Sequence, residues 1–100
     1  MVVRHQGAVV GCAALRPINQ STCELKRVYL KPTVRGHDGG RLLVQAMLDQ
    51  ARSFEYQRMC LDVLPEFETA QRLYEKLGFT DAPALTYNPV PGTRFMALML

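Results

Sequence analysis

A glycine-rich segment between a predicted strand and a predicted helix is the part of this sequence best suited to bind a ligand. It reads VYLKPTVRGHDGGR over residues 28–41. Amide groups at a helix N-terminus have no partners within the helix, and glycine lets a ligand approach the backbone closely. Arg35 and Arg41 could add positive charge for a diphosphate. The segment therefore predicts phosphate binding. A helix cap whose glycines only turn the chain is the alternative.

The cysteines and histidines give weaker indications. Cys12, Cys23 and Cys60 lie in apolar, strand-like segments without the spacing of a metal site, so we interpret them as reduced core thiols of a cytoplasmic protein. A nucleophilic Cys23 or Cys60 is the alternative, although nothing near either one in sequence looks like a base. His5 and His37 are far from any cysteine, and we therefore expect no metal site.

The composition indicates one small globular domain over residues 1–100. Apolar residues make up 48% and charged residues 21% of the chain, which is ordinary for such a domain. The apolar stretches are too short for a membrane span, and the N-terminus lacks the features of a signal peptide. The formal net charge of +3 suits an anionic small molecule but is too small to indicate nucleic-acid binding.

Hydrophobic periodicity predicts the elements that hold these residues. Between residues 41 and 54 most apolar side chains repeat at helical spacing: those at 43, 47, 51 and 54 form one row, which those at 42 and 46 flank. The segment from Pro65 to Leu77 has the same spacing before Gly78 ends that helix. The other apolar runs predict strands at 1–5, 8–15, 22–30, 59–64, 84–87 and 94–100. The order β-β-β-α-β-α-β-β places a parallel pair inside an otherwise antiparallel sheet, with helices packed on it.

Two motifs in this order resemble those of the GNAT N-acetyltransferase superfamily, whose members depend on acetyl-CoA. The run RGHDGGRLL, Arg35 to Leu43, is similar to the family's acetyl-CoA-binding motif of Arg or Gln, two residues, Gly, one residue, then Gly or Ala. The run LYEKLGF, Leu73 to Phe79, resembles the hallmark at the end of the family's next helix. The resemblance covers nearly the whole chain and implies a GNAT-like mixed α/β fold.

The resemblance also implies site residues. The sheet would splay between the third and fourth strands, and the thioester would lie in that opening. Tyr74 would protonate the departing CoA sulfur, and Glu24 would take a proton from the amine, which attacks directly without an acyl-enzyme. The cofactor would contact Val28, Tyr29 and Leu30 through its pantetheine arm, and Arg35, Gly36, His37, Asp38, Gly39, Gly40 and Arg41 through its pyrophosphate.

Simpler interpretations exist for both catalytic candidates. Tyr74 shares the apolar face of its helix with Leu77, which also fits a packing role. Glu24 shares a strand face with Lys26, which also fits a surface ion pair. A shortened relative that binds CoA or another protein without catalysis is the alternative function.

The chain departs from the family pattern in three respects. Asp38 stands where the motif has glycine, and its carboxylate would repel phosphate. Phe67 replaces an expected asparagine before the second helix. The usual first strand and first two helices are missing, which fits a shortened natural member, a fragment, or a chain that completes its site with a partner subunit. A bare sheet edge and exposed apolar helix faces favour a homodimer.

Overall fold

The computed structural model describes residues 2–5, 8–30, 39–84 and 88–100, and at 2–5, 8–10, 27, 28 and 30 the backbone alone. Within these residues the predicted order of β-β-β-α-β-α-β-β is confirmed. The elements are β1 (Val2–His5), β2 (Ala8–Pro17), β3 (Thr22–Leu30), α1 (Gly39–Ser53), β4 (Arg58–Val63), α2 (Glu68–Lys76), β5 (Thr80–Asp81) and β6 (Arg94–Met99).

The described strands form one mixed sheet in the order β1-β2-β3-β4-β6-β5. The β3–β4 pair is parallel, and the other neighbours are antiparallel. A parallel pair needs a long crossover, which α1 supplies between β3 and β4. The predicted mixed sheet with a central parallel pair is confirmed.

The sheet opens between β3 and β4. The two strands pair only at Thr22 with Arg58, Cys23 with Met59 and Glu24 with Cys60. Beyond Glu24, β3 continues to Leu30 while paired on its other side with β2. We call the space between the unpaired ends of β3 and β4 the β3–β4 gap. It lies where the sheet was expected to splay.

Both helices contribute to a single core on one face of the sheet, here called the helix face. Side chains alternate along a strand, so Cys23 and Leu25 of β3 point to the helix face, and Glu24 points to the opposite face. The core joins this row of the sheet to the buried stripe of α1 and to Tyr74 of α2. It comprises Ala13, Cys23, Leu25, Leu43, Val44, Met47, Leu48, Ala51, Met59, Leu61, Val63, Tyr74, Phe79 and Met96.

The ends of α1 differ slightly from the prediction. The helix begins two residues earlier, at Gly39, and ends at Ser53. Phe54, predicted to extend the apolar row, lies beyond the helix and is 61% exposed. Leu42, predicted to flank that row, is 56% exposed. The row of Leu43, Met47 and Ala51 is buried as predicted, but it is flanked by Val44 and Leu48 instead of Leu42 and Ala46.

The helix predicted to open at Pro65 begins instead at Glu68. The Phe67 amide donates to the Leu64 carbonyl at 3.1 Å and closes a turn ahead of the helix. The Gln71 side chain donates to the carbonyls of Leu64 and Pro65, each at 3.2 Å. Because the Gln71 side chain already donates to these two carbonyls, the turn is not part of the helix.

The fifth strand lies earlier than predicted. It spans Thr80–Asp81, whereas Ala84 lies outside any strand and residues 85–87 fall outside the described part of the chain. Arg94 of β6 determines this placement. Its guanidinium donates to both oxygens of Asp81, at 2.6 Å from Nε and 3.2 Å from Nη2. This two-point pair holds Asp81 of β5 beside β6.

The second strand is longer than predicted, because Arg16 and Pro17 pair with Glu24 and Cys23 of β3. The turn between β2 and β3 therefore starts at Ile18. The side chain of Asn19 closes it by accepting from the amides of Ser21 and Thr22, each at 2.9 Å.

Candidate active site

An open cleft of about 1670 Å³ includes the β3–β4 gap. Consecutive residues of β3 and of β4 border it, and consecutive strand residues face opposite sides of the sheet. The cleft therefore reaches both faces through the gap. Its walls include Arg16, Leu25, Lys26 and Tyr29 on one side, Leu61, Asp62, Val63 and Leu64 on the other, and Gly39, Gly40, Phe67 and Tyr74 from the helices and their starts.

Tyr74 enters the cleft wall from α2 on the helix face. Its side chain is 6% exposed, and its ring meets Phe79 edge-on with centroids 5.7 Å apart. Burial raises the pKa of the Tyr74 phenol above its ordinary value, because it disfavours the charged phenolate. At neutral pH the hydroxyl therefore keeps its proton and can donate it. Tyr74 therefore packs in the core and also borders the cleft, and its role as the acid stays a prediction.

The local sequence around Tyr74 explains its rigid placement. Gly78, at φ +103°, directly follows the residue that caps the C-terminus of α2. Its amide donates to the backbone carbonyl of Glu75 at 3.0 Å. The next amide, that of Phe79, donates to the Tyr74 carbonyl at 2.9 Å. This is a Schellman motif, which requires a residue that tolerates positive φ. The LYEKLGF motif thus folds Phe79 back onto the tyrosine.

Glu24 lies on the opposite face and is 1% exposed. Its Oε1 lies 3.1 Å from Arg16 Nε and 3.8 Å from Lys26 Nζ. The expected pair with Lys26 is present, but at Glu24 it is buried rather than on the surface. The two cations border the cleft, and Glu24 lies behind them.

A second carboxylate, which the sequence analysis missed, borders the cleft directly. Asp62 of β4 points to the opposite face, because its neighbours Leu61 and Val63 point into the core. Its Oδ2 accepts from Asn88 Nδ2 at 3.2 Å. The available signal was a single acidic residue within the apolar run MCLDVL.

The predicted cofactor residues lie only partly within the described chain. Gly39, Gly40 and Arg41 form the first turn of α1 and border the cleft, and Tyr29 borders it from β3 with 50% exposure. Val28 and Leu30 belong to the part of β3 that does not pair with β4. Arg35, Gly36, His37 and Asp38 fall outside the described residues.

Comparison with known proteins identifies the family. The sequence pattern of the acetyltransferase (GNAT) family matches residues 1–79. The chain belongs to the GNAT acetyltransferase family. An uncharacterized N-acetyltransferase of Schizosaccharomyces pombe is 36% identical over 100 residues, which are 98% of this chain and 61% of that protein. The chain thus spans less than two thirds of this relative's length.

Solved structures agree with the family and its fold. A proposed acyl-CoA N-acyltransferase of Klebsiella pneumoniae superposes with a TM-score of 0.92 at 32% identity, covering 99% of this chain and 70% of that one. A Mycobacterium tuberculosis protein solved in complex with CoA superposes with a TM-score of 0.83 at 25% identity, covering 99% and 74%.

One GNAT position differs in this chain as the sequence indicated. Phe67, in place of the expected asparagine, occupies the N-cap of α2 and is 53% exposed. It makes no side-chain hydrogen bond to the helix and borders the cleft. The cleft wall is therefore apolar at this position.

The two central cysteines behave as core thiols. Cys23 is fully buried and Cys60 nearly so, at 6% exposure. Burial raises the pKa of Cys23 to about 11 and also raises the pKa of Cys60, where the charge of Glu24 adds to the effect. Neither thiol forms the thiolate that a nucleophile needs near neutral pH.

No described helix is long and apolar enough to cross a membrane.

Proposed function

We propose that the chain binds acetyl-CoA and transfers the acetyl group to a primary amine of a small molecule or peptide. The observation that carries the proposal is the β3–β4 gap, with Tyr74 in its wall and the start of α1 on the same cleft. A proton donor, a helix N-terminus and an unpaired strand edge thereby border one space.

These features suit an elongated thioester bearing a diphosphate. The first amides of α1, at Gly39 and Gly40, carry the partial positive charge that phosphate prefers. The unpaired edge of β3 from Leu25 to Leu30 has backbone groups available to an extended amide-containing arm. A related structure of Mycobacterium tuberculosis contains CoA, and one of Elizabethkingia anophelis contains acetyl-CoA.

The chemistry assigned to the chain's own residues is the movement of two protons. The bound thioester supplies an activated carbonyl, to which the amine forms a C–N bond while the C–S bond breaks. Tyr74 gives its phenolic proton to the departing sulfur, and a carboxylate receives the proton that the amine loses. Glu24 is the proposed acceptor of that proton. Asp62 is the second candidate, because it borders the cleft directly and Glu24 does not.

Thermal unfolding with and without acetyl-CoA tests binding first. A ligand at about 100 times its Kd adds about 2.7 kcal/mol to the free energy of unfolding. For a domain of this size the melting temperature should then rise by about 10 °C or more. An unchanged melting temperature would remove the cofactor from the proposal.

Release of CoA thiol across a panel of amines tests the transfer. We expect release with at least one primary amine and none without an amine. A rise in melting temperature without release by any amine favours the alternative, a CoA-binding module without catalysis.

The expected homodimer belongs to the same proposal. Leu42, Phe54 and Met99 are each more than half exposed, and apolar side chains of this size favour contact with a partner. Size-exclusion chromatography with light scattering should give twice the mass of 11.3 kDa. A monomer mass at tens of micromolar protein contradicts it.

A further inference from the structure

Opposite charges lie on the two sides of the β3–β4 gap. The last pair between the strands is Glu24 with Cys60. Lys26 lies two residues after Glu24 on β3, and Asp62 lies two residues after Cys60 on β4. Because the strands are parallel and side chains alternate, both residues occupy the same level and the same face. Both border the cleft.

The β3 side of the gap has an excess of positive charge. Arg16 and Lys26 share a single oxygen of Glu24, at 3.1 and 3.8 Å. One buried carboxylate therefore holds two cations in place, and their side chains remain 56% and 37% exposed. A guanidinium and an ammonium fixed side by side offer further donors to an anion that enters the cleft.

The β4 side presents an oriented negative charge. Asn88 donates to Oδ2 of Asp62 at 3.2 Å, and its own Oδ1 accepts from the Val90 amide at 3.0 Å. The turn at Asn88 and Val90 thus holds the Asp62 carboxylate in one orientation. Its second oxygen suits a cationic donor from a ligand.

We propose that the acceptor is a free α-amino acid, whose ammonium binds Asp62 and whose carboxylate binds Lys26 and Arg16 across the gap. This inference rests on the proposed function and adds the substrate class. An α-amino acid carries its two opposite charges on one carbon, and the two sides of the gap each present one opposite charge at the same level of the strands. An amine without the carboxylate leaves the two cations without that partner.

The test compares leucine with isopentylamine, which differs from it only by the carboxylate. We measure kcat/KM for both amines by CoA release in the unaltered chain, in Lys26→Met and in Lys26→Arg. Loss of a hydrogen-bonded charge in Lys26→Met should lower kcat/KM for leucine about 10- to 100-fold more than it lowers kcat/KM for isopentylamine. Lys26→Arg should restore much of the loss. Arg52→Gln, at an exposed pair with Asp49, is the surface control.

A binding measurement gives a readout that does not depend on turnover. Calorimetry on the CoA-loaded protein compares N-acetylleucine with N-isopentylacetamide. We expect tighter binding of the carboxylate-bearing product and loss of that preference in Lys26→Met.

The outcomes separate this inference from the proposed function. Equal use of both amines, or a leucine preference that Lys26→Met does not reduce, overturns the inference while the transferase function stands. Absence of CoA release with every amine rejects the function. In that case the calorimetric preference and its dependence on Lys26 alone decide whether the site recognises carboxylates.

Discussion

At the scale of single residues, the structure gives Tyr74 and Glu24 different kinds of support. Tyr74 borders the cleft, and burial favours its neutral, proton-donating form. Glu24 lies behind Arg16 and Lys26, and its carboxylate forms ion pairs with both of these cations. The assignment of Tyr74 as the acid therefore rests on position and protonation state, and that of Glu24 on the family resemblance.

Replacement of Tyr74 by phenylalanine tests the acid. Loss of a general acid lowers rates by about 10²- to 10⁴-fold. We expect Tyr74→Phe to lower kcat within that range and to leave the Kd for acetyl-CoA nearly unchanged, because the ring still fills its site against Phe79. Steady-state kinetics and calorimetry measure the two effects. Tyr56→Phe, outside the described cleft lining, is the matched control, and unchanged turnover in Tyr74→Phe excludes it as the acid.

The pH dependence of kcat/KM distinguishes the two carboxylates. A base must be deprotonated to act, so its loss removes or moves the acidic limb of the pH–rate profile. We expect Glu24→Gln to move this limb and Asp62→Asn to raise KM for the amine. If the limb moves only in Asp62→Asn, Asp62 is the base and Glu24 has a structural role. Circular dichroism checks that both variants fold.

At the scale of elements, side-chain hydrogen bonds hold helix α2 from two directions. Arg94 of β6 donates to Glu75 at 3.1 Å and to Asp81 of β5, and Gln71 reaches the turn after β4. Side-chain donors thus tie α2 to its neighbours in sequence on both sides. The helix pattern was readable from the apolar spacing. Its first residue was not, because the Gln71 side chain binds the carbonyl of Pro65, which the prediction assigned to the helix.

The start of α2 offers a test of this element. Phe67 occupies the N-cap without a side-chain hydrogen bond. Asparagine there can accept from a free amide of the first turn, which stabilises a protein by about 1 kcal/mol. We expect Phe67→Asn to raise the melting temperature by roughly 4–8 °C. Phe67→Ala, which lacks the cap, controls for loss of the exposed ring. A Phe67→Asn protein no more stable than Phe67→Ala contradicts the prediction.

At the scale of the whole molecule, the sheet and both helices bury thiols and a phenol in and beside one core. Burial raises the pKa values of Cys23, Cys60 and Tyr74. Each group releases its proton at lower pH in the unfolded chain than in the folded one. At pH values above the ordinary pKa of a thiol, the unfolded chain therefore binds fewer protons than the folded chain. The free energy of unfolding then falls as pH rises.

This linkage predicts alkaline destabilisation. For Cys23 the window runs from 9.0 to about 11. Within it the free energy of unfolding should fall by about 1 kcal/mol per pH unit for this thiol. Urea titrations under reducing conditions at pH 8 and pH 11 should show a smaller fall in Cys23→Ala than in the unaltered chain. Equal falls in Cys23→Ala and in the unaltered chain would count against the prediction.

Local sequence determined the elements, their order and the family of this protein. Apolar periodicity placed two helices and most strands, and LYEKLGF specified a helix end because only glycine easily adopts the φ of +103° found at Gly78. Each of these properties depends on residues close together in the chain.

The tertiary structure decided what lies together across the chain. Four features depend on strand register. They are the length of β3–β4 pairing, the burial of Glu24 beside Arg16, the position of β5 beside Arg94, and the position of Asp62 across the gap from Lys26. Register couples residues tens of positions apart, and a one-residue slip exchanges the two faces of a strand. Local patterns along one strand do not contain that information.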